Sequence, residues 1–199
     1  MAYSDIKDPS AHFHTQIWTG NSGYTVNVTN NANFGDFQPD LIWAKDRANA
    51  YNHDLVDSSR GPTVAFHPNT NAAEYTRTQS NYDFTSFDSN GFTTGAPDFT
   101  YSFGGNNNAN GKVAWQWKAN GGTTSTNTDG DITSTVQANQ DAGFSILTYT
   151  GKTSNNQTVG HGLGAKPGFI LIRNRSRLES WRLNHQSVNS GTGMIRLNS

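Results

Sequence analysis

The chain of 199 residues contains no cysteine. Disulfide bonds and thiolate metal sites are therefore excluded. Charged residues are also few: they make up 15% of the sequence, and the formal net charge is -1. Such a composition offers no basic surface for nucleic acid and no polybasic patch for an anionic membrane. We therefore expect no nucleic acid among the partners and no membrane insertion.

Long apolar runs are absent as well. No stretch approaches the roughly 18 consecutive apolar residues of a membrane-spanning helix. The first ten residues, Met1 to Ser10, lack the basic region and the apolar core of a secretory signal. We therefore expect that the chain is not exported by a secretory route.

Residues for catalysis do not occur in a recognisable arrangement. The only two glutamates, Glu74 and Glu179, lie far apart in the sequence. No acidic residues alternate along a strand, as the paired carboxylates of β-sandwich glucanases do. A Gly-x-Ser-x-Gly motif, a phosphate-binding loop and a dinucleotide fingerprint are also missing. The sequence therefore predicts no catalytic residue and no enzyme activity.

Two patterns match metal sites only in part. His12 and His14 are spaced for one face of a strand, but no third ligand accompanies them. Residues 127–131, Asn-Thr-Asp-Gly-Asp, place oxygen atoms at alternating positions without the later glutamate of a calcium loop. We interpret this stretch as an Asx turn. We expect neither a metal ion nor an organic cofactor.

Apolar residues recur with the period of a β-strand. The stretch 113–117 alternates between large apolar residues and smaller or polar ones, as on a half-buried strand. The runs 41–44 (Leu-Ile-Trp-Ala) and 169–172 (Phe-Ile-Leu-Ile) are apolar on both faces, which predicts central strands covered on each side. Turns rich in Gly and Asn, such as 89–91, separate these segments. The pattern indicates an all-β antiparallel sandwich.

The sequence also contains an internal repeat. Three segments of the first half return in the second half in the same order, with their apolar positions in register. The pairs are 13–20 with 144–151, 39–47 with 167–175, and 53–57 with 181–185. A repeat of this length predicts that a whole structural unit has been copied.

The repeat divides the chain into four predicted parts. They are an N-terminal tether at 1–12, a first sandwich at 13–118, a linker rich in Gly, Ser, Thr and Asn at 119–130, and a partial second sandwich at 131–199. The second copy has no counterpart of the strands that end at Phe92 and Lys118. Half a sandwich leaves unpaired strand edges. We therefore expect the missing strands to come from a continuation of the chain or from another chain.

Carbohydrate binding is one interpretation of four residues in matching parts of the two copies, Asp57, Arg60, Trp181 and His185. An exposed aromatic ring can stack on a sugar, while carboxylate and guanidinium groups bind its hydroxyls. The alternative is that Trp181 packs in the core, as large rings usually do. At this level the two interpretations stay open.

An ordered set of short motifs runs through both copies. They are 18–21 (Trp-Thr-Gly-Asn), 37–47 (from Phe-Gln-Pro-Asp-Leu-Ile-Trp to Asp-Arg), 55–61 (Leu-Val-Asp-Ser-Ser-Arg-Gly), 87–92 (Phe-Asp-Ser-Asn-Gly-Phe), 113–122 (Val-Ala-Trp-Gln-Trp-Lys-Ala-Asn-Gly-Gly), 143–151, 160–167, 172–175 and 181–185. Together they resemble a repeat family of virion-associated proteins of marine tailed phages. The resemblance implies a concanavalin-like or jelly-roll sandwich and a place on the tail, a fibre or another exterior part of the particle. It supplies no catalytic residue.

These observations predict a non-enzymatic structural protein of a tailed-phage virion, associated with the tail or a tail fibre and contributing to host-surface attachment. A chain that is assembled in the host cytoplasm and released by lysis needs no secretory signal. The expected partners are other virion proteins, further copies of the chain, with a trimer expected first, and a host-surface glycan. A capsid decoration protein and a free lectin-like module are the alternatives, and an enzyme comes third.

Overall fold

β-Strands make up almost all of the regular structure. The computed structural model describes residues 6, 8–21, 25–30, 36–77, 84–95, 109–188 and 192–198. These residues include one 3₁₀ helix, Pro9–Ala11. The strands are β1 (Phe13–Thr19), β2 (Thr25–Thr29), β3 (Leu41–Asp46), β4 (Asp54–Asp57), β5 (Val64–Phe66), β6 (Tyr75–Thr76), β7 (Ser86–Asp88), β8 (Gly91–Gly95), β9 (Gly111–Trp117), β10 (Ser125–Asn127), β11 (Ser134–Asn139), β12 (Phe144–Tyr149), β13 (Phe169–Ile172), β14 (Arg182–His185) and β15 (Ile195–Arg196). Over these ranges, no helix is long and apolar enough to cross a membrane.

Two antiparallel sheets form a sandwich in the first half of the chain. One has the strand order β1-β9-β3-β4-β5-β6, and the other has the order β2-β8-β7. Alternate residues of the large sheet, Ile42, Val56 and Ala114, are fully buried together with Phe84 and Phe92 from the small-sheet side. Period-two burial is what a sheet packed on one face produces. The prediction of an all-β sandwich is confirmed.

The opposite face of the large sheet is covered as well. Leu41 and Trp43, which alternate with the first core along β3, belong to a second apolar cluster. This cluster is built around Leu55 and Phe66 of the neighbouring strands and Trp181 from the second half of the chain. One face of β3 is therefore fully buried and the other is partly buried, each against another part of the protein. The prediction that 41–44 is a central strand covered on each side is confirmed.

The second apolar run has a different environment. β13 is the edge strand of the sheet β13-β14-β15. Phe169, Ile170 and Ile172 are 53%, 44% and 38% exposed, and only Leu171 of this strand packs against the second cluster. The prediction that 169–172 is a central strand covered on both sides is therefore wrong. A strand is covered only where other strands and layers lie beside it, and those neighbours are not encoded in its own residues.

The predicted linker contains regular structure. Within residues 119–130, β10 pairs with β11, and β11 continues the sheet to β12. The predicted tether, 1–12, lies partly outside the described residues. In its described part, the Asp8 carboxylate accepts the backbone N–H of Ser10 and caps the 3₁₀ helix. The four domain boundaries themselves stay a prediction.

A buried carboxylate holds the start of the predicted linker against the first sandwich. Asp40, just before β3, is fully buried. Its Oδ2 accepts the backbone N–H groups of Ala119 and Gly121 at 2.7 and 3.0 Å. Its Oδ1 accepts the N–H of Gly122 at 2.9 Å and the hydroxyl of Ser58 at 2.6 Å. The negative charge is thus surrounded by donors, which is the condition for burying it stably.

Gln137 of β11 extends this network into the second half of the chain. Its Oε1 accepts the N–H groups of Asn120 and Gly122 at 2.9 and 2.8 Å. Its Nε2 donates to the hydroxyls of Ser58 and Ser59 at 3.0 and 2.8 Å. The side chain is fully buried. The segment 119–122 is therefore a fixed joint between the two halves.

Replacing Asp40 by Asn tests whether this joint contributes to stability. Asp40→Asn places an NH₂ donor among backbone N–H donors, so at least one of them loses its acceptor. We expect the free energy of unfolding in urea to fall by about 2 to 3 kcal/mol. Asp141→Asn, at an exposed turn carboxylate, is the matched control and should change it by less than about 0.5 kcal/mol. Equal effects of the two substitutions would contradict the role of Asp40.

Candidate functional site

The structure brings three of the four predicted binding residues to one place. Asp57 is the last residue of β4, Arg60 lies in the following turn, and Trp181 immediately precedes β14. Phe66 connects them. The Arg60 guanidinium lies 4.7 Å from the centroid of the Phe66 ring, and the Trp181 ring meets Phe66 edge to face with centroids 5.1 Å apart.

Ion pairs extend this arrangement across the two halves of the chain. Arg60 Nε lies 2.6 Å from Asp57 Oδ2, and Arg60 Nη1 lies 2.7 Å from Glu74 Oε2. Arg175 then donates to both Glu74 oxygens, at 2.8 and 2.7 Å. We call Asp57, Arg60, Phe66, Glu74, Arg175 and Trp181 the interface cluster. Its charges alternate in sign, so each charged side chain contacts an opposite one.

The charges of the interface cluster shift the protonation of its members. Burial acts to raise the pKa of Glu74, but the hydrogen bonds from Arg175 and Arg60 outweigh it and hold the pKa of Glu74 below its ordinary value. The hydrogen bond to Glu74 raises the pKa of Arg175, and burial only partly opposes it. The pair is therefore ionised, and it stabilises the contact between the two halves while it remains so.

Trp181 is a core residue. It is 4% exposed and packs with Leu55 and Phe66. The guanidinium of Arg173 lies 5.8 Å from its ring centroid, and Arg173 also donates to the backbone carbonyls of Asn71 and Ala72. A ring that is enclosed in this way offers no free face for stacking on a sugar. For Trp181 the geometry favours core packing over carbohydrate recognition.

His185 lies apart from these contacts. It is half-buried at the end of β14, opposite Phe169 of β13. Its Nδ1 accepts the backbone N–H of Ser187 at 3.2 Å. Ligand binding by Asp57, Arg60, Trp181 and His185 as a group stays a prediction, and the ion pairs of Asp57 and Arg60 give those two residues a structural role.

A second polar cluster lies in the first sandwich, and sequence reasoning did not find it. Asp54 is fully buried; it accepts the Tyr75 hydroxyl at 2.7 Å, lies 3.2 Å from His67 Nδ1 and pairs with Arg77. Burial acts to raise the pKa of Asp54, but Arg77 and His67 outweigh it, so the pKa is lowered. Asp54 lies in β4, Tyr75 in β6, His67 just after β5 and Arg77 just after β6. No local spacing in the sequence could have joined them.

An open cleft of about 600 Å³ lies in the second half of the chain. Its lining includes Asn127, Asp129, His161 and Lys166. Asp129 donates its backbone N–H to Asn127 Oδ1 at 3.0 Å, which confirms the predicted Asx turn. A Cβ on Gly160 would lie 1.7 Å from Asn127 Oδ1, so any larger residue at this position would displace the Asn127 side chain. The cleft can exchange hydrogen bonds with a polar ligand.

The chemical content of these sites is limited. Among the described residues, Asp129 is the one carboxylate that lines the cleft, whereas glycoside hydrolysis uses two. In the described part of the chain, no three His, Asp or Glu side chains are grouped to hold a metal ion. In the interface cluster the charged side chains form ion pairs among themselves, and in the Asp54 cluster Asp54 forms an ion pair with Arg77.

The fold and these sites define an all-β sandwich protein whose charged clusters are internal ion-pair networks. Residues 8–199 match the model of a family described as a domain of unknown function, DUF7483, and the chain belongs to that family. No curated protein and no solved structure matches the chain.

The ion pairs of Glu74 predict a specific dependence of stability on pH. A carboxylate whose pKa is lowered in the folded state stabilises the fold above its ordinary pKa of 4.5, and this contribution is lost as the pH falls below that value. We therefore expect Glu74→Gln to lower the free energy of unfolding by about 1 to 3 kcal/mol at pH 7. The difference from the native chain should shrink as the pH falls below 4.5.

The other glutamate provides the control for this prediction. Glu179→Gln removes the same functional group but no ion pair to Arg60 or Arg175, so a smaller loss is expected at pH 7. Urea unfolding of the three chains between pH 3 and pH 7 measures both effects. A difference between the native chain and Glu74→Gln that stays constant with pH would contradict the predicted ionisation of Glu74.

Proposed function

We propose that the protein is a non-enzymatic structural component of a tailed-phage virion, associated with the tail or a tail fibre, that contributes to host-surface attachment. The resemblance of the ordered motifs supports this role. The motifs extend from Trp18 to His185, and each of the two copies contributes several of them.

Ion pairs inside the protein are the structural observation that supports the proposal. Lys112 and Asp46 form an ion pair in which both side chains are 0% exposed. Asp54 is enclosed by its partners, and Glu74 is shared by two arginines. The charged side chains of these three sites are therefore engaged with one another and stabilise the fold. Ion pairs of this kind favour a rigid scaffold that presents outer loops. An enzyme would be expected to keep a reactive side chain free of such partners.

Finer features of the role follow from the same resemblance. We propose a concanavalin-like or jelly-roll topology, with one complete repeat and part of a second, and a homo-oligomer, with a trimer expected first. The protein assembles with other virion proteins in the host cytoplasm and is released by lysis. A host-surface glycan is the proposed ligand of the assembled particle.

Locating the protein in purified particles tests the proposed role. Phage particles that encode this chain are banded in a density gradient, and their proteins are identified by peptide mass spectrometry. We expect peptides of this chain in the particle band and antibody-gold label at the tail or its fibres in electron micrographs. Label over the capsid would support the decoration protein instead. Absence of the chain from intact particles would contradict a virion role altogether.

An assay with the purified chain distinguishes attachment to a polysaccharide from its hydrolysis. Incubation with host-surface polysaccharide should leave the length distribution of the polysaccharide unchanged by size-exclusion chromatography. A shift to shorter products, abolished by substitution of a single carboxylate such as Asp129→Asn, would show an enzyme and overturn the proposal. Asp141→Asn is the control, because it removes a carboxylate outside the cleft.

A further inference from the structure

Two hairpins of the protein have the same strand register. In β3–β4, Leu41 lies opposite Asp57 and Ala44 opposite Asp54. In β13–β14, Phe169 lies opposite His185 and Ile172 opposite Arg182. Every member of the second set lies 128 positions after its counterpart in the first. The second hairpin is therefore aligned, residue by residue, with the first.

The hydrogen bonds beside the two hairpins match as well. Ser58 donates its N–H to the carbonyl of Asp40, and Gln186 donates its N–H to the carbonyl of Gly168. Backbone groups alternate between the two edges of an antiparallel strand. The N–H and C=O groups of Phe169 and Leu171 therefore point away from β14, toward the other edge of β13.

That other edge is occupied in the first hairpin. β9 pairs with β3 there, with Trp117 opposite Leu41, Gln116 opposite Ile42 and Ala114 opposite Ala44. Among the described residues, no strand pairs with the corresponding edge of β13. The pairing of β9 with β3 therefore shows which kind of strand, and in which register, the equivalent edge of β13 can bind.

The side chains of β13 lack the cover that their counterparts on β3 receive from β9 and from the small sheet. Ile170 and Ile172 are 44% and 38% exposed, whereas their counterparts Ile42 and Ala44 are 0% exposed. Phe169 is 53% exposed. An unpaired apolar edge is a site for addition of a further strand.

We propose that the free edge of β13 binds an antiparallel β-strand of the β9 type, in the register that β9 adopts on β3. The residue equivalent to Gln116 then lies opposite Ile170, and the residue equivalent to Trp115 lies opposite Leu171. Main-chain hydrogen bonds to Phe169 and Leu171 provide the attachment, and alternating apolar side chains provide the register. The inference does not depend on the proposed virion role.

The bound strand differs from β9 at one position. On β3, Asp46 forms a buried ion pair with Lys112 of β9. The residue 128 positions after Asp46 is the neutral Asn174. A lysine at the position of Lys112 would then lack the anionic partner that Asp46 provides on β3. The occupant of the β13 edge therefore carries a neutral residue there.

Disulfide trapping tests both the binding and its register. The full chain lacks cysteine, so Ile170→Cys introduces a single reactive thiol. The probe is a synthetic peptide of residues 110–118 with Lys112→Thr and Gln116→Cys. Oxidised glutathione in the buffer takes up the two electrons that are released when the two thiols join, and it is reduced to two glutathione thiols. Residues that face each other in a non-hydrogen-bonded antiparallel pair have Cα atoms about 4.5 Å apart, which a disulfide can span. We expect the mixed disulfide to form about tenfold faster than with a peptide that carries Trp115→Cys instead, because that residue faces the opposite side.

A variant that lacks one backbone N–H distinguishes strand addition from nonspecific hydrophobic association. Phe169→Pro, added to the Ile170→Cys chain, removes one N–H from the free edge and no bond to β14, so trapping should fall about tenfold. Phe169→Ala keeps the N–H and should retain trapping within about twofold. Circular dichroism and thermal unfolding establish that the variants remain folded. Equal rates with the two peptides, no trapping, or faster linkage between two copies of the Ile170→Cys chain than to the peptide would each overturn the proposal.

Discussion

The carboxylate of Asp40 is the contact on which the arrangement of this protein depends. It accepts three backbone N–H groups from residues 119–122 and a hydroxyl from Ser58, and it is completely buried. A segment rich in glycine has many conformations to lose on folding, and strong charge-assisted bonds to a fixed anion offset that loss. Gln137 binds the same segment from the other side. Because these few residues are fixed, the strands that follow start from a defined position beside the first sandwich.

This fixed start explains why the large sheet can be apolar on both faces. Leu41 and Trp43 would be exposed on an isolated sandwich, but the second half of the chain brings Trp181 against them. The charged pairs around Glu74 lie beside this apolar contact and contribute geometry as well as energy. Glu74 and Arg175 are 15% and 48% exposed in their side chains, so their direct pair is partly screened by solvent and is the weaker part of the interface. Apolar burial supplies most of the attraction, and the ion pairs favour one orientation of the two halves.

The sequence predicts those features that short-range patterns determine. Alternation and turn residues indicate the sandwich, and the run 41–44 is correctly assigned to a covered strand. The run 169–172 has the same pattern and a different environment, because exposure depends on strands that lie far away in the sequence or are missing. Composition identifies 119–130 as polar and glycine-rich but cannot reveal that Asp40 binds part of it. The Glu74–Arg175 pair joins residues 101 positions apart, and only the fold brings them together.

The two hairpins β3–β4 and β13–β14 show which properties are encoded within a segment and which depend on its surroundings. The first is strand register, and the second is burial. Both hairpins have the same register, so pairing within a hairpin is determined by the hairpin itself. Burial is not: Ile42 is 0% exposed and Ile170 is 44% exposed at equivalent positions. Exposed edges are usually kept short or interrupted to prevent uncontrolled association, and β13 has only four residues and follows Pro167 and Gly168. A short edge that begins directly after Pro167 and Gly168 limits the number of registers in which another strand can pair with it, which favours selective over indiscriminate association.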